Sequence, residues 1–200
     1  MICRQLSEEE VIEIYSTVAQ NHFPSDELKP VKKVRMFLSE KMYLGYGLFR
    51  NEKLLAYAFF LRLPHFDKLL LDYYAVLEEF RTKGIGSVFL QLLRDELKEK
   101  PLDASESIML SGFYIESENP DYAKNDSEKA IREKRIAFYK KNYADFTGIL
   151  TTLYGVDYRI FYIPLKNMPL PASDEYRQEL EHIYRNMFPS PLFEQVSRIY

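Results

Sequence analysis

Residues 69–87 read LLLDYYAVLEEFRTKGIGS and contain the transition on which our interpretation of the fold depends. The segment Leu69–Val76 is dominated by large apolar side chains, which is typical of a buried β-strand. Gly84 and Gly86 then precede the repeating apolar positions of a predicted helix that runs from Gly84 to Lys98. A buried strand, a short loop and a glycine-containing helix start are therefore predicted in direct succession.

A helix start of this kind is suited to binding an anion. The first N–H groups of a helix have no partner within the helix, and the helix dipole places partial positive charge at the same end. Gly84 and Gly86 allow a ligand to approach the backbone closely, because they carry no side chain. Arg81 and Lys83 add full positive charges immediately before the helix.

Two familiar phosphate-binding motifs do not fit this segment. A dinucleotide fingerprint requires a third glycine at position 89, where this chain has Phe89. A P-loop requires a lysine after its last glycine, whereas Gly86 is followed by Ser87 and Val88. The pyrophosphate of coenzyme A (CoA) is the ligand that remains, and a helix start with incidental glycines is the alternative interpretation.

The rest of the chain alternates between strand and helix patterns, which predicts an α/β fold with one sheet covered by helices. Ser7 and Glu10 form a capping-box pattern at the start of the first helix. The predicted elements are strand 2–6, helices beginning at Ser7 and in the Ser25–Pro30 region, a hairpin of 43–50 and 53–63, strand 69–76, helix 84–98, strand 108–116, helix 128–142, a hairpin of 147–154 and 158–163, and helices near 173–187 and 191–199.

Length and composition restrict the possible classes of protein. A chain of 200 residues forms about one domain, and we predict a domain of residues 1–163 followed by a proline-rich helical extension of residues 164–200. A net charge of −3 gives no reason to expect nucleic acid or an anionic membrane as a partner. One cysteine, Cys3, and three histidines without ligand spacing argue against a metal site.

The N-terminus and the longest apolar run bear on localisation. The first ten residues contain charges and no apolar stretch, so a secretory signal is not expected. The run Leu54–Leu61 is far shorter than the roughly 20 residues that span a bilayer. With the single thiol, these observations predict a cytoplasmic protein without a membrane partner.

Two segments resemble the GNAT N-acetyltransferase superfamily. The order of Val76, Arg81, Gly84 and Gly86 between a strand and a helix is similar to its CoA-binding motif, Arg/Gln-x-x-Gly-x-Gly/Ala. Residues 137–146 are similar to its helix that ends in Tyr-x-x-x-Gly-Phe, with Tyr139 at the tyrosine position. This chain departs from that pattern because Tyr143 replaces the glycine and the aromatic residue falls at Phe146. The element order of residues 2–163 also agrees with the family's.

The resemblance implies a fold and a cosubstrate. The fold would be the GNAT acyltransferase fold, in which a mixed central sheet splays between two parallel strands, helices cover both faces, and here a C-terminal helical extension follows. Acetyl-CoA would be the cosubstrate, and no metal is implied. Pantetheine would pair with the backbone of Ala75, Val76 and Leu77, and the pyrophosphate would be held by Arg81, Thr82, Lys83, Gly84, Ile85, Gly86 and Ser87.

Acetyl transfer to an amine also requires proton transfers. By resemblance, Tyr139 would protonate the leaving thiolate, and the alternative is that it only packs in the helix. A backbone N–H near Val76 would stabilise the oxyanion. Glu116 and Glu118 stand at the end of a predicted strand, on the same side of the chain, and could converge on one amine as the base. Glu78 and Glu79 are the alternatives, and a solvated acidic surface is the non-catalytic interpretation of all four.

Charge also changes sign along the sequence. Residues 105–128 are rich in acids and residues 129–141 are rich in bases. This pattern suits an acidic mouth for a cationic amine beside a basic wall for phosphates. Pairing of the two runs with each other is the alternative.

The sequence therefore predicts an acetyl-CoA-dependent N-acetyltransferase that acts on the primary amine of a small molecule. The alternative is a non-catalytic acyl-CoA-binding or protein-interaction module on the same fold. The apolar extension must dock, either on its own domain or on a second subunit in a homodimer. None of His22, His65, His182 and Cys3 is assigned a catalytic role.

Overall fold

The computed structural model describes residues 1–25, 27–99, 108–166, 171–188 and 190–200. The chain divides into two compact units, residues 1–110 and residues 111–200. Both contain β-strands and helices, so the predicted α/β class is confirmed.

The described residues of the first unit form four strands and three α-helices. They are β1 (Ile2–Gln5), α1 (Glu8–Thr17), α2 (Val31–Ser39), β2 (Tyr43–Arg50), β3 (Lys53–Arg62), β4 (Lys68–Val76) and α3 (Ile85–Glu99). The strands lie in chain order, and each pairs antiparallel with the next. The predicted hairpin of residues 43–50 and 53–63 is confirmed, as is the capping box at Ser7, whose hydroxyl accepts from the Glu10 N–H at 3.2 Å.

Helices cover both faces of the sheet in this unit. Tyr73 and Tyr74 are neighbours on β4, and adjacent side chains of a strand point to opposite faces. The Tyr73 ring meets Tyr15 of α1, with centroids 5.6 Å apart, whereas the Tyr74 ring stacks on Phe89 of α3 at 5.4 Å. The α1 and α3 helices therefore lie on opposite faces, and the aromatic core of the unit is divided between them.

The second unit contains four strands and three α-helices among its described residues. They are β5 (Gly112–Glu118), α4 (Asp126–Lys141), β6 (Asp145–Leu153), β7 (Val156–Pro164), α5 (Ser173–Met187), α6 (Ser190–Val196) and β8 (Ser197–Ile199). Within the unit, β7 pairs antiparallel with both β5 and β6, and β6 also pairs antiparallel with β8. The hairpin predicted around Gly155 is confirmed.

The C-terminal extension packs on strands of its own unit. The α5 helix spans the predicted residues 173–187 and buries five side chains: Tyr176, Leu180, Ile183, Tyr184 and Met187. The prediction of a helix over 191–199 is wrong at its end, because Ser197–Ile199 form β8 on the edge of β6. The edge of β6 supplies backbone partners to these residues, a long-range effect that local periodicity does not contain. The division at residues 163 and 164 stays a prediction.

The bounds of β5 also differ from the sequence prediction. The strand predicted over 108–116 is observed as Gly112–Glu118, so it begins four residues later and ends two residues later. Leu110 is buried without being part of a strand, which explains why an apolar pattern alone places the start too early. Residues 105–107 of the acidic run and residues 167–170 of the proline-rich stretch lie outside the described residues.

Candidate functional site

The turn between β4 and α3 has a backbone that leaves space for a ligand. Residues Glu78–Phe80 form one 3-10 turn, after which Thr82 and Gly84 have φ angles of +63° and +74°. This left-handed region is strained for a β-branched threonine but not for glycine. A Cβ atom built on Gly84 would meet no atom within 4 Å. The space beside Gly84 is therefore open at the N-terminus of α3.

Two basic side chains fold around this turn. The Arg81 Nε–H donates to the Val76 carbonyl at 3.0 Å, and Lys83 Nζ donates to the Glu79 carbonyl at 2.8 Å. Both side chains are exposed. Two positive charges therefore lie on the turn that precedes the N-terminus of α3, an arrangement that is suited to an anion.

The first turn of α3 is held in place by β4. The Tyr74 hydroxyl donates to the Gly86 carbonyl at 2.6 Å, and its ring stacks on Phe89. The ten residues predicted to contact CoA occupy two adjoining stretches, 75–77 at the end of β4 and 81–87 at the start of α3. The structure thus brings them together in the first unit.

A groove of about 630 Å³ lies beside the same turn. We call it the His22 groove, and it is lined by Val18, Asn21, His22, Leu77, Glu78 and Glu79. Glu79 pairs with Lys53 at 3.2 Å. The alternative base candidates Glu78 and Glu79 therefore line a groove that also contains His22, a residue without a catalytic role in the sequence prediction.

His22 is held by a buried tyrosine of β3. Its Nδ1 lies 3.0 Å from the Tyr57 hydroxyl, and the two rings are nearly parallel, at 15°. Burial lowers the pKa of His22, the Arg81 guanidinium lowers this pKa further, and Glu78 opposes both effects. Thirty-five residues separate His22 from Tyr57, so no local motif could have revealed the pair.

The segment that carries His22 into α2 is anchored by a buried polar cluster. The Lys29 ammonium pairs with the Asp72 carboxylate, which also accepts from the Tyr43 hydroxyl at 2.5 Å. The Tyr15 hydroxyl donates to the Lys29 carbonyl at 2.8 Å, and the Tyr73 hydroxyl donates to the Glu27 carbonyl at 2.8 Å. These bonds tie the connection between α1 and α2 to β4, and so they support one wall of the groove.

Tyr139 lies on α4 in the second unit. It is 7% exposed, and its ring meets Phe138 edge-on at 5.4 Å. Burial raises the pKa of Tyr139 above its usual value, and Arg135 opposes this effect. The hydroxyl therefore remains protonated at neutral pH, and within the described part of the chain it has no hydrogen-bond partner. Its protonation is compatible with donating to a thiolate.

The end of α4 explains the glycine of the family pattern. Tyr143 has φ +69°, and the Ala144 N–H donates to the Tyr139 carbonyl at 3.1 Å, while the Tyr143 N–H donates to the Lys140 carbonyl at 3.2 Å. These two bonds define a Schellman motif, in which a residue in the left-handed region ends the helix. Glycine is preferred at this position, and Tyr143 adopts the same backbone with its side chain 71% exposed.

Glu116 and Glu118, the first candidates for the base, are both engaged within the second unit. The Glu116 carboxylate accepts from the Tyr184 hydroxyl at 2.5 Å. The Glu118 carboxylate pairs with Arg132 at 2.9 Å and with Arg135 at 2.8 Å. The two carboxylates therefore have separate sets of partners, and their assignment as the base stays a prediction.

The acidic and basic runs of the sequence pair with each other at several positions. Arg132 is buried and bridges Glu118 and Glu128, while Arg135 also reaches Glu118. These ion pairs agree with the alternative interpretation, in which loop and helix charges neutralise one another.

The described residues contain neither a metal-ligating cluster nor a membrane-spanning helix. They contain no group of three or more His, Cys, Asp or Glu side chains that could hold a metal ion. No helix in the same part of the chain is both long and apolar enough to cross a membrane. Cys3 is buried in β1.

Comparison with known proteins gives one family match. The model of the acetyltransferase (GNAT) family matches residues 9–121, which is more than half of the chain. This range includes the Arg81–Ser87 turn and the His22 groove. No curated protein matches the chain.

Solved structures with the same fold include three instructive neighbours. A GNAT-family protein from Bacteroides thetaiotaomicron superposes with a TM-score of 0.66 at 12% identity, covering 94% of this chain and 98% of its own. The ribosomal-protein-S18-alanine N-acetyltransferase of Escherichia coli has a TM-score of 0.54 at 20% identity, with coverages of 85% and 98%. An aminoglycoside 6'-N-acetyltransferase complexed with coenzyme A has a TM-score of 0.57 at 14% identity, with coverages of 85% and 100%. Identities this low show a common fold alone.

Proposed function

The chain belongs to the acetyltransferase (GNAT) family, and we propose that it transfers the acetyl group of acetyl-CoA to the primary amine of a small molecule. The observation that carries this proposal is the turn at Arg81–Ser87. It combines an open glycine, two exposed bases and a helix N-terminus in the first unit. An acidic groove for a cationic acceptor lies beside this turn.

The residues at the turn fit a CoA pyrophosphate. Gly84 leaves open space where any larger side chain would stand, and its left-handed φ turns the backbone into α3. Arg81 and Lys83 supply the positive charge, and the N–H groups of Ile85, Gly86 and Ser87 begin the helix. The backbone of Ala75, Val76 and Leu77 would hold pantetheine, as the family resemblance implies.

The proposed chemistry is direct transfer between acetyl-CoA and the amine. An alkyl ammonium has a pKa of about 10.4, so it must lose a proton before its nitrogen attacks the thioester. A backbone N–H near Val76 would stabilise the oxyanion, and the neutral Tyr139 hydroxyl would protonate the departing thiolate. The role of Tyr139 as proton donor is supported by its position in the family motif and by its burial, which raises the pKa of its hydroxyl and keeps it protonated.

Among the proposed carboxylates, Glu78 and Glu79 have the better support for contact with an ammonium group. Both line the His22 groove, whereas Glu116 and Glu118 are engaged by Tyr184 and by two arginines. A carboxylate beside the groove would attract a cationic acceptor from solution. A small-molecule amine is also the acceptor named for the aminoglycoside acetyltransferase among the neighbours.

Binding and turnover should be measured separately. Isothermal titration with acetyl-CoA tests the cosubstrate site, and thiol release is then followed with spermidine, tyramine, kanamycin and a peptide with an N-terminal alanine. Acetyl-CoA binding with turnover of at least one of the three small amines is the expected result. Binding without thiol release from any amine would favour the non-catalytic module, and absence of binding would overturn the proposal.

A further inference from the structure

The wall of the His22 groove continues directly from the end of β4. Leu77 is the last of the three residues proposed to hold pantetheine, and it lines the groove together with Glu78 and Glu79. Because pantetheine carries the thioester, an amine in this groove would lie beside the residues that hold the reacting group. The groove is therefore a place where acceptor and donor could meet.

The imidazole of His22 is fixed with one nitrogen left for a ligand. Nδ1 is 3.0 Å from the hydroxyl of Tyr57, whose own side chain is completely buried in the core of the unit. When Nδ1–H donates to this hydroxyl oxygen, the neutral imidazole keeps its lone pair on Nε2. Nε2 has no hydrogen-bond partner among the protein groups that the structure describes.

The surroundings of His22 favour a neutral imidazole. The charged and titratable groups that act on His22 are Arg81, Glu78 and Tyr57, with Glu79 further along the groove. Glu79 is neutralised by Lys53, whereas Glu78 has no ion pair in the described part of the chain. The Arg81 charge and the burial of the ring both disfavour imidazolium, so His22 can accept a proton at neutral pH.

We propose that His22 accepts the proton of the acceptor ammonium through Nε2 and that Tyr57 is the positioning residue for its imidazole. This inference rests on the proposed acetyl transfer. The ammonium N–H bond breaks, its electron pair stays on nitrogen, and the proton moves to Nε2. The amine nitrogen then forms a bond to the thioester carbon, and the C–S electron pair leaves with sulfur. The thiolate takes up one proton and the nitrogen loses its second proton, so that the products are amide, CoA thiol and imidazolium.

The pH dependence of kcat/KM distinguishes this role from a packing role. If His22 takes the proton from a bound ammonium, kcat/KM in wild type rises with pH through the pKa of His22 and then becomes level. In His22→Gln the amine must lose its proton in solution, so kcat/KM rises continuously toward the amine pKa of about 10.4. At neutral pH we expect a loss of roughly 100- to 10,000-fold, with acetyl-CoA affinity unchanged. His182→Gln, on the exposed face of α5, is the matched control and should behave as wild type.

Two further variants separate proton transfer from structural support. Tyr57→Phe keeps the stacked ring but removes the hydroxyl, so kcat should fall while acetyl-CoA affinity is retained. His22→Ala leaves a space on an open groove, and added imidazole should restore turnover in proportion to its concentration.

The experiments use acetyl-CoA with whichever amine of the panel gives the fastest thiol release. A level wild-type profile, a continuous rise in His22→Gln and rescue by imidazole support the proposal. An unchanged pH profile in a folded His22→Gln protein overturns it and leaves the acetyltransferase activity standing. A wild-type protein that releases no thiol with any amine overturns both the proposed function and the role of His22.

Discussion

The Tyr184 hydroxyl donates to the Glu116 carboxylate at 2.5 Å, and this bond joins the C-terminal extension to β5. A second phenol–carboxylate pair runs in the opposite sense, from Tyr114 of β5 to Glu179 of α5. Each element therefore supplies one phenol and one carboxylate. Because Tyr114 and Tyr184 are fully buried, these two bonds hold α5 in a defined position on the strand.

Removal of one hydroxyl tests the contribution of these bonds to stability. Tyr184→Phe leaves the ring in place but deprives the Glu116 carboxylate of a donor. Since hydrogen bonds to charged groups contribute about 1.5–3 kcal/mol, we expect the free energy of unfolding to fall by about 2 kcal/mol. Urea denaturation of this variant and of Tyr154→Phe, an exposed tyrosine in the same unit, provides the comparison. Equal stability of the two variants would show that the bond to Glu116 contributes nothing.

Buried tyrosines also predict a loss of stability at alkaline pH. Burial, followed by neighbouring carboxylates, raises the pKa of Tyr43 and Tyr184 well above the usual value, and burial and Glu179 do the same for Tyr114. The unfolded chain releases these protons above pH ~10 while the native state retains them, so stability is complete below pH ~10 and falls above it. Each group contributes about 1.4 kcal/mol per pH unit. Urea unfolding measured between about pH 8 and about pH 11, a range that spans the ordinary pKa of tyrosine, should show this decline. The free energy of unfolding should fall less steeply with pH in Tyr184→Phe.

The proposed contact of the Arg81–Ser87 turn with the CoA pyrophosphate can be tested by adding one negative charge. Gly84→Glu places a carboxylate in the open space at the start of α3, where it would repel a pyrophosphate. Arg81→Ala removes a charged donor and should weaken acetyl-CoA binding by roughly 10- to 100-fold. Gly84→Gln is the size-matched control, because it carries the same strain at φ +74° without the charge. Equal acetyl-CoA dissociation constants for the Glu and Gln variants, measured by titration calorimetry, would show that the phosphates do not bind beside residue 84.

Tyr139→Phe tests the proposed thiolate partner. The change removes only a hydroxyl that has no protein hydrogen-bond partner among the described residues, so folding and acetyl-CoA binding should be retained. Turnover should fall by roughly 100- to 10,000-fold, the usual contribution of general acid–base catalysis. Tyr143→Phe, an exposed tyrosine at the end of the same helix, should retain activity. Full turnover in Tyr139→Phe would leave this tyrosine as a packing residue.

The end of α4 predicts a stabilising substitution. Tyr143 has φ +69° in a position that favours glycine, and the left-handed conformation costs an L-residue about 1–2 kcal/mol. Tyr143→Gly should relieve this strain, while the larger backbone entropy of glycine in the unfolded chain offsets part of the gain. We therefore expect a net rise of about 1 kcal/mol in the free energy of unfolding. Tyr143→Ala keeps a Cβ atom and should show no such gain. A lower melting temperature for the glycine variant would mean that contacts of the Tyr143 side chain outweigh the backbone strain.

Local patterns in the sequence determined the elements on either side of the Arg81–Ser87 turn. The apolar run of β4, the glycines at 84 and 86 and the apolar stripe of α3 all lie within 30 residues, and their strand and helix periods are properties of the nearby backbone. The capping box at Ser7 and the bounds of α5 were predictable for the same reason. These elements depend on residues that are near one another in the chain, so they could be predicted without knowing how the chain packs.

Only the tertiary structure decided which side chains meet across the sheet and the helices. His22 reaches Tyr57, Glu116 reaches Tyr184, and Ser197–Ile199 become a strand because β6 offers an unpaired edge. Each of these contacts depends on how distant elements pack and on which partners remain for their polar groups. The sequence therefore determined where CoA is proposed to bind, whereas packing decided which groove and which titratable groups lie beside that turn.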